Sequence, residues 1–389
     1  KTFCTKAKSG APLLQNVWID SLDVARIALP RMKSHRLIDL TKAFDVVAST
    51  HRADDDVRSL ADVYRIMLAA VSQMPDDLVM YIAGLADVDE WPSGKVFKHF
   101  ANEIAKQTGE TPDLPEQPAR NVLNLHLLRD ANIDAQMLSK RHDAERLSQD
   151  PTVGLHFASD EEIADEFTED GLAGRMYENY EPRSEQVRMA TAVDDAFSKS
   201  ENLAVEAGTG VGKSLAYLVP AIKTARQNDI TVGVATKTNA LLDQLANHEL
   251  PAINQAGVDV DYAILKGTQH YLCLLELDRL VKRGAEIKVE DNRTVSTAAA
   301  LAGLVSFVEQ NDYEDIDSLN WDRRAIPRYE VTIKGENCLR HRCPFFGKEC
   351  YVYGARQRAE SADILVTNQT LLFCDLKTDG GILPPIRYW

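Results

Sequence analysis

Residues 207–214 read Ala-Gly-Thr-Gly-Val-Gly-Lys-Ser. Three glycines, Gly208, Gly210 and Gly212, let backbone N–H groups close on phosphate oxygens, with Thr209 and Val211 completing the loop. Lys213 brings a cation to the β- and γ-phosphates, and the Ser214 hydroxyl suits Mg²⁺. The octet therefore predicts binding of ATP with Mg²⁺. Its first position is Ala207, where the usual pattern has glycine. Such a loop needs a strand before it and a helix after it. Leu203-Ala204-Val205 reads as a short apolar strand, and Ser214–Val219 opens a helix whose N-terminus favours an anion. A glycine-rich turn that binds nothing is the alternative, and the lysine–hydroxyl pair in this setting speaks against it.

A second constellation is sulfur. Cys338-x₄-Cys343-x₆-Cys350 forms a tight trio, and Cys273 lies well upstream. Thiolates are soft ligands suited to zinc or to iron–sulfur clusters, and four of them satisfy a 4Fe–4S cube. Structural zinc usually takes paired C-x₂₋₄-C knuckles, so the uneven trio with a remote fourth ligand points to a cluster. Four buried thiols or a zinc site are the alternatives. Around the trio, Arg340, Arg342, Lys348, Arg356 and Arg358 alternate with Phe345, Phe346, Tyr351 and Tyr353. Bases of this kind track phosphates and aromatic faces stack nucleobases, though the aromatics could equally pack a small domain. Cys4 and Cys374 have no such company.

A third pattern is weaker. His51-Arg52-Ala53-Asp54-Asp55-Asp56 sets a histidine ahead of an acidic triplet. Alone, this spacing describes a surface histidine near acids.

These residues must be positioned by a chain of 389 residues, long enough for two or three domains. With 44% hydrophobic and 26% charged residues the composition is ordinarily globular. The longest apolar run, Ala298–Val308, is too short for a bilayer, and no signal segment opens the chain. The expectation is a cytoplasmic protein with no membrane partner. Six cysteines do not make a disulfide scaffold. A net charge of −15 argues against a uniformly basic coat but permits a local basic track, because acids concentrate in stretches such as residues 160–170. Residues 1–70 read as short helices, residues 71–175 as a helical and acidic connector, and residues 176–389 as an α/β segment. In that last part Ile230–Ala235, Ala263–Leu265 and Ile364–Val366 are β-rich runs between helices, which predicts a parallel sheet covered on both faces. Lys1 and Trp389 do not read as natural ends, so a fragment of a longer protein is expected.

Around the loop, other elements fall in order. Arg183 and Gln186 sit where they can bracket an adenine, with Gln186 reading its edge. The stretches EAGTGVGKS, ATKTNALLDQL, KGTQHYLC and ADILVTNQTLL together resemble superfamily 2 helicases of the DinG/XPD type, over roughly residues 176–389. The resemblance implies a RecA-like P-loop NTPase motor domain that unwinds DNA 5′→3′ with ATP. It implies that Lys213 and Ser214 hold phosphate and Mg²⁺, that Arg183 and Gln186 recognise adenine, and that Thr236 lies on the strand-binding face. For Thr236 and Gln244 the alternative is an ordinary solvated strand end and helix. The resemblance also implies a 4Fe–4S insertion at about residues 268–360, with Cys273 at the first-ligand position. The family's Asp-Glu-x-His motif is expected beyond LPPIRYW, so hydrolysis and unwinding are not expected of these residues alone.

IDSLDVARIALPRMKSHRLIDLTKAF followed by HRADDDV resembles the last third of DnaQ-like 3′–5′ exonucleases of the His-containing acidic class, an RNase H-like fold. On that match His51 is the general base and Asp56 a ligand of the exonuclease Mg²⁺. The family's other carboxylates belong before Lys1. The combined reading is an exonuclease remnant joined to an iron–sulfur helicase motor. Its substrate is single-stranded or forked DNA, in bacterial repair or replication, and the protein is nucleoid-associated. Two other readings stay open: a nucleic-acid-binding scaffold whose P-loop senses ATP without motor activity, and an exonuclease whose helicase part only binds DNA.

Overall fold

The computed structural model describes residues 17–46, 53–108, 123–130, 154–208, 210–290, 293–310, 313–317, 319–378 and 380–389. The chain divides into two compact units. One comprises residues 1–133 with 268–351, the other residues 134–267 with 352–389. Five strands are present among the described residues: β1 (Val232–Thr236), β2 (Tyr262–Ile264), β3 (Ile287–Glu290), β4 (Arg293–Ser296) and β5 (Ile364–Asn368).

The second unit is built on a three-stranded parallel sheet of order β1-β5-β2. Val232 pairs with Ile364 and Thr236 with Asn368 on one side of β5, and Tyr262 with Ile364 on the other. The middle strand reads Ile-Leu-Val-Thr-Asn and is buried along its first four residues, as expected of a parallel strand covered on both faces. The helices Ser184–Lys199 and Lys213–Asn228 pack together. Leu215, Leu218, Val219 and Ile222 of the second join Val232, Ile364 and Val366 in one apolar core. The fold is thus α/β with a parallel sheet.

Upstream of the sheet, Ser159 caps the helix Asp160–Asp165 in a reciprocal box with Glu162. This accounts for part of the acidic stretch: Asp160, Glu161 and Glu162 occupy a first turn, where the helix dipole favours negative charge.

The expected strand at Leu203–Val205 is absent. Residues 201–208 have no regular structure, and Leu203 and Val205 are exposed. A strand needs a neighbour to satisfy its ladder. The free side of β1 instead meets the residues around Tyr388, where Gly233 N donates to Tyr388 O at 2.9 Å. Trp389 lies over Gly233 so closely that a Cβ there would stand 2.4 Å from its ring.

The first unit is mainly helical. Its N-terminal part comprises Ser21–Ala28, Leu37–Ala43, Ala53–Ser72, Asp76–Ala83, Gly94–Thr108 and Leu125–Asp130. The part from residue 268 contributes Leu274–Arg283, the antiparallel β3–β4 hairpin and Ala298–Gln310. The apolar run noted in the sequence is this last helix. It is buried on every side from Ala300 to Val308, the signature of a core helix. It packs on Ser21–Ala28, with Ser306 Oγ donating to Ile27 O at 2.6 Å. No single described helix is long and apolar enough to cross a membrane. Asp54–Ser72 and Asp76–Ala83 reach that composition only jointly, across a bend of 113°.

Candidate nucleotide and cysteine sites

Glycine is required at two points of the loop. Gly210 and Gly212 both have φ of +82°, a region side chains rarely enter. Lys213 begins the helix behind them. Its ammonium bends over the loop, with Nζ 3.0 Å from Ala207 O and 2.9 Å from Gly208 O. Ser214 hydrogen-bonds the hydroxyl of Tyr217, whose burial pushes its pKa up. Thr209 lies outside the described residues, and Val211 is half-buried.

Arg183 and Gln186 converge on this loop. Arg183 Nη1 donates to Gly210 O. Gln186 Nε2 donates to Gly212 O at 3.0 Å, while its Oε1 accepts from Tyr180 Oη at 3.0 Å. Gln186 is only 3% exposed, so both ends of its amide are committed. The sequence alone gives Tyr180 no role. Here it sets which way the Gln186 amide points, and it stacks on Tyr177 with ring centroids 6.4 Å apart. Arg183 caps the helix Ser184–Lys199 and Gln186 lies in its first turn, and only the fold reveals that they hold the loop's carbonyls.

The carboxyl ends of β1 and β5 lie beside each other. Thr238 caps the helix Asn239–Gln244, and Asn368 caps Gln369–Lys377. Asn368 Nδ2 donates to Asn239 Oδ1 at 2.8 Å, tying the two strand ends together. Thr236 departs from expectation. It is buried, and its hydroxyl is within 2.9 Å of Thr238 O and 3.3 Å of Thr367 O. A residue fixed inside the sheet presents no face to a DNA strand. Gln244 is exposed.

In the first unit the trio of cysteines shares one local geometry. Cys338, Cys343 and Cys350 each donate their N–H to the carbonyl three residues back, that of Gly335, Arg340 and Gly347. Arg340 and Gly347 both have positive φ, which the turns require. Cys273 caps the helix Leu274–Arg283, and its N–H donates to Val331 O at 2.8 Å. Burial pushes the Cys273 thiol up to about 11, with Cys343 adding to the rise, while the N–H groups of Leu275 and Glu276 oppose it. The Cys343 thiol is likewise raised by burial, with smaller contributions from Cys338 and Glu349, against the N–H of Phe345. Cys343 thus feels both Cys273 and Cys338. Among the described residues no three or more His, Cys, Asp or Glu stand together as ligands of a metal ion. Thiolates around a cube stand farther apart than those around one ion. Cys374 is exposed, and Cys4 lies outside the described residues.

The alternation of bases and aromatics resolves unevenly. Phe345 and Tyr351 are buried and serve packing, which corrects their reading as stacking faces. Phe346 is 41% exposed, and Arg340, Arg342 and Lys348 are exposed. Tyr353, Arg356 and Arg358 are half-buried. His51 lies outside the described residues. Asp56 sits with Asp54 and Asp55 in the first turn of Ala53–Ser72, where acids favour the helix N-terminus irrespective of metal.

Residues 187–295 match the DEAD/DEAH box helicase family. This part of the chain is similar to DEAD/DEAH box helicases. The chain is also similar to named relatives. It is 35% identical over 216 residues to the ATP-dependent DNA helicase YoaA of Haemophilus influenzae, an overlap of 55% of this chain and 32% of that protein. It is 35% identical over 221 residues to the ATP-dependent helicase DinG of Mycobacterium tuberculosis, covering 53% of this chain and 33% of that one. A third relative, the 3′-5′ exonuclease DinG of Bacillus subtilis, is 23% identical over 393 residues, covering 97% of this chain and 38% of that protein. The chain therefore spans about a third of the length of these relatives. The resemblance to DinG-type helicases read from the motifs is borne out. The matched segment includes the glycine loop, β1 and β2, while β5 lies outside it.

Proposed function

We propose that this chain works within an ATP-dependent DNA helicase of the DinG type, and that Gly208–Ser214 is its nucleotide site. The observation that carries the reading is the glycine loop with Lys213 and Ser214 at a helix N-terminus, inside the segment that matches the helicase family. Backbone N–H groups of the loop cradle the phosphates. Lys213, now on two loop carbonyls, would supply its ammonium to phosphate oxygens, and Ser214 would supply its hydroxyl to Mg²⁺. Arg183 and Gln186 then transmit occupancy of the loop to the adenine side. The substrate is single-stranded or forked DNA, unwound 5′→3′ in repair or replication at the bacterial nucleoid.

Cys273, Cys338, Cys343 and Cys350 would hold a 4Fe–4S cluster in this reading. The donor set fits: four thiols in one unit, the trio presented by matching turns, and Cys343 electrostatically coupled to two others. When bound, such a cube supplies a four-point cross-link and a one-electron centre. The chain's part is to place Cys273 at a helix N-terminus, whose N–H groups work against the rise that burial imposes on its thiol.

A second activity is favoured by one observation: the relative that overlaps 97% of the chain is named a 3′-5′ exonuclease. His51 as general base and Asp56 as metal ligand belong to that reading, in the RNase H-like part.

Calorimetric titration of the chain with Mg·ADP tests the nucleotide site. Binding that vanishes in Lys213→Ala supports it, and binding that persists unchanged defeats it.

A further inference from the structure

Arg129 is among the largest fully buried side chains of the described residues. A buried guanidinium is costly unless it is well partnered. This one lies between two rings, 4.2 Å from the centroid of Tyr351 and 4.8 Å from that of Tyr313. Its Nε donates to Glu349 O at 3.1 Å. That carbonyl belongs to the peptide that joins Glu349 to Cys350. Tyr351 follows Cys350 directly, and Tyr313 donates its hydroxyl to Lys348 O at 2.6 Å. On the same helix, Leu125–Asp130, His126 stacks on Phe345 at 4.2 Å with its Nδ1 2.7 Å from Glu349 Oε2. Residues on both sides of Cys350 are therefore gripped by a helix that lies outside the cysteine-bearing segment.

We propose that Arg129 is a positioning residue for Cys350, fixing the Lys348–Tyr351 backbone so that the thiol is presented in one orientation before any metal arrives. The proposal rests on the reading of Cys350 as a cluster ligand. The chemistry favours arginine over lysine, because a planar cation can stack between two rings and still donate at its edge. The cost of burying it is offset only if Tyr313, Tyr351 and the Glu349 carbonyl stay in place. The cation and the loop therefore order each other.

The test uses the chain in two forms. In chelator-treated protein, iodoacetamide alkylation of Cys350 is followed by mass spectrometry, with exposed Cys374 as the internal reference. Arg129→Ala is expected to speed Cys350 modification about tenfold by local opening, with Cys374 unchanged. Arg129→Lys and His126→Ala should shift it in the same direction by less. After anaerobic reconstitution, iron per chain should fall in Arg129→Ala and the electron-spin signal of the reduced cluster should change, with partial recovery in Arg129→Lys. Should Arg129→Ala unfold, with Cys273, Cys338 and Cys343 accelerated alike, the other two variants decide. Unchanged Cys350 rates in Arg129→Lys and His126→Ala overturn the proposal. Wild-type chain that takes up no iron defeats the cluster reading instead, and the alkylation result still judges the clamp.

Discussion

Gln186 and Gly212 are made for each other: the amide nitrogen donates to the Gly212 carbonyl at 3.0 Å, and a Cβ on Gly212 would stand 2.3 Å from that same nitrogen. The loop's shape and the position of Gln186 are one constraint. We expect Gly212→Ala to weaken Mg·ADP binding by at least about tenfold, because it both strains a φ of +82° and displaces the amide. Calorimetry on the variant checks this, and wild-type affinity would show that the loop tolerates a side chain there.

Tyr180→Phe removes only the hydroxyl that orients Gln186. The expected result is a smaller loss of affinity, about three- to tenfold, from freeing the amide to rotate. The same titration should give no loss at all when Tyr180→Phe is added to Gln186→Ala, since the hydroxyl then has nothing to orient. Additive losses would mean that Tyr180 acts elsewhere.

Asp194 is buried on the helix Ser184–Lys199 with Oδ1 unpartnered, and burial together with Asp160 and Asp195 raises its pKa to about 6. A carboxyl raised in the folded state stabilises it fully below its unfolded pKa of 3.8 and loses that contribution as pH rises through about 6. Relative to Asp194→Asn, the parent should therefore lose about 2 kcal/mol of stability between pH 4 and pH 7. Urea denaturation of both proteins across that range measures the difference. A constant difference would place the ordinary carboxylate there.

Two helical glycines should respond in opposite ways to alanine. Gly303 in the core helix Ala298–Gln310 has nothing nearer to its would-be Cβ than Arg26 O at 3.8 Å, whereas at Gly174 that atom would meet Glu169 O at 1.8 Å. Gly303→Ala is expected to stabilise by about 0.5–1 kcal/mol through helix propensity. Gly174→Ala should destabilise by more than about 2 kcal/mol through overpacking against backbone. Chemical denaturation of the pair tests the contrast, and a loss at Gly303 would show that the helix contact is tighter than its geometry indicates.

The capping box at Ser159 and Glu162 closes both ends of one hydrogen-bonded loop. Ser159→Ala should cost about 1 kcal/mol in the same measurement. A cost below about 0.3 kcal/mol would mean that the cap is replaced by solvent.

The glycine loop was legible because its demands are local. Glycines at positive φ, a lysine and a hydroxyl must stand at fixed spacing, whatever surrounds them. The parallel sheet was legible from apolar runs at 230–235, 263–265 and 364–366, each within two residues of the observed strand or shorter than it. Leu203–Val205 misled, because an apolar triplet states a preference for extended backbone but says nothing about a partner. Thr236 differs for another reason: the resemblance implied a strand-binding face there, and β5 pairs beside it and takes its hydroxyl. Arg129 carried no signal at all. A buried arginine is defined by Tyr313, Tyr351 and Glu349, which lie far along the chain, and no local pattern announces such a partner set.

The order β1-β5-β2 has a kinetic consequence. The central strand is the last of the five to leave the ribosome. The Thr236 hydroxyl of β1 reaches Thr367 O across 131 residues, and the Thr367 hydroxyl reaches Leu265 O across 102. Until β5 arrives, neither β1 nor β2 has its partner strand. Contacts of such long range slow folding, and open strand edges invite pairing with other chains. The segment from 268 to 351 is therefore a timing element as well as a carrier of cysteines. Any defect that delays its compaction leaves the parallel sheet incomplete and exposed to aggregation for longer, even though the glycine loop itself is untouched.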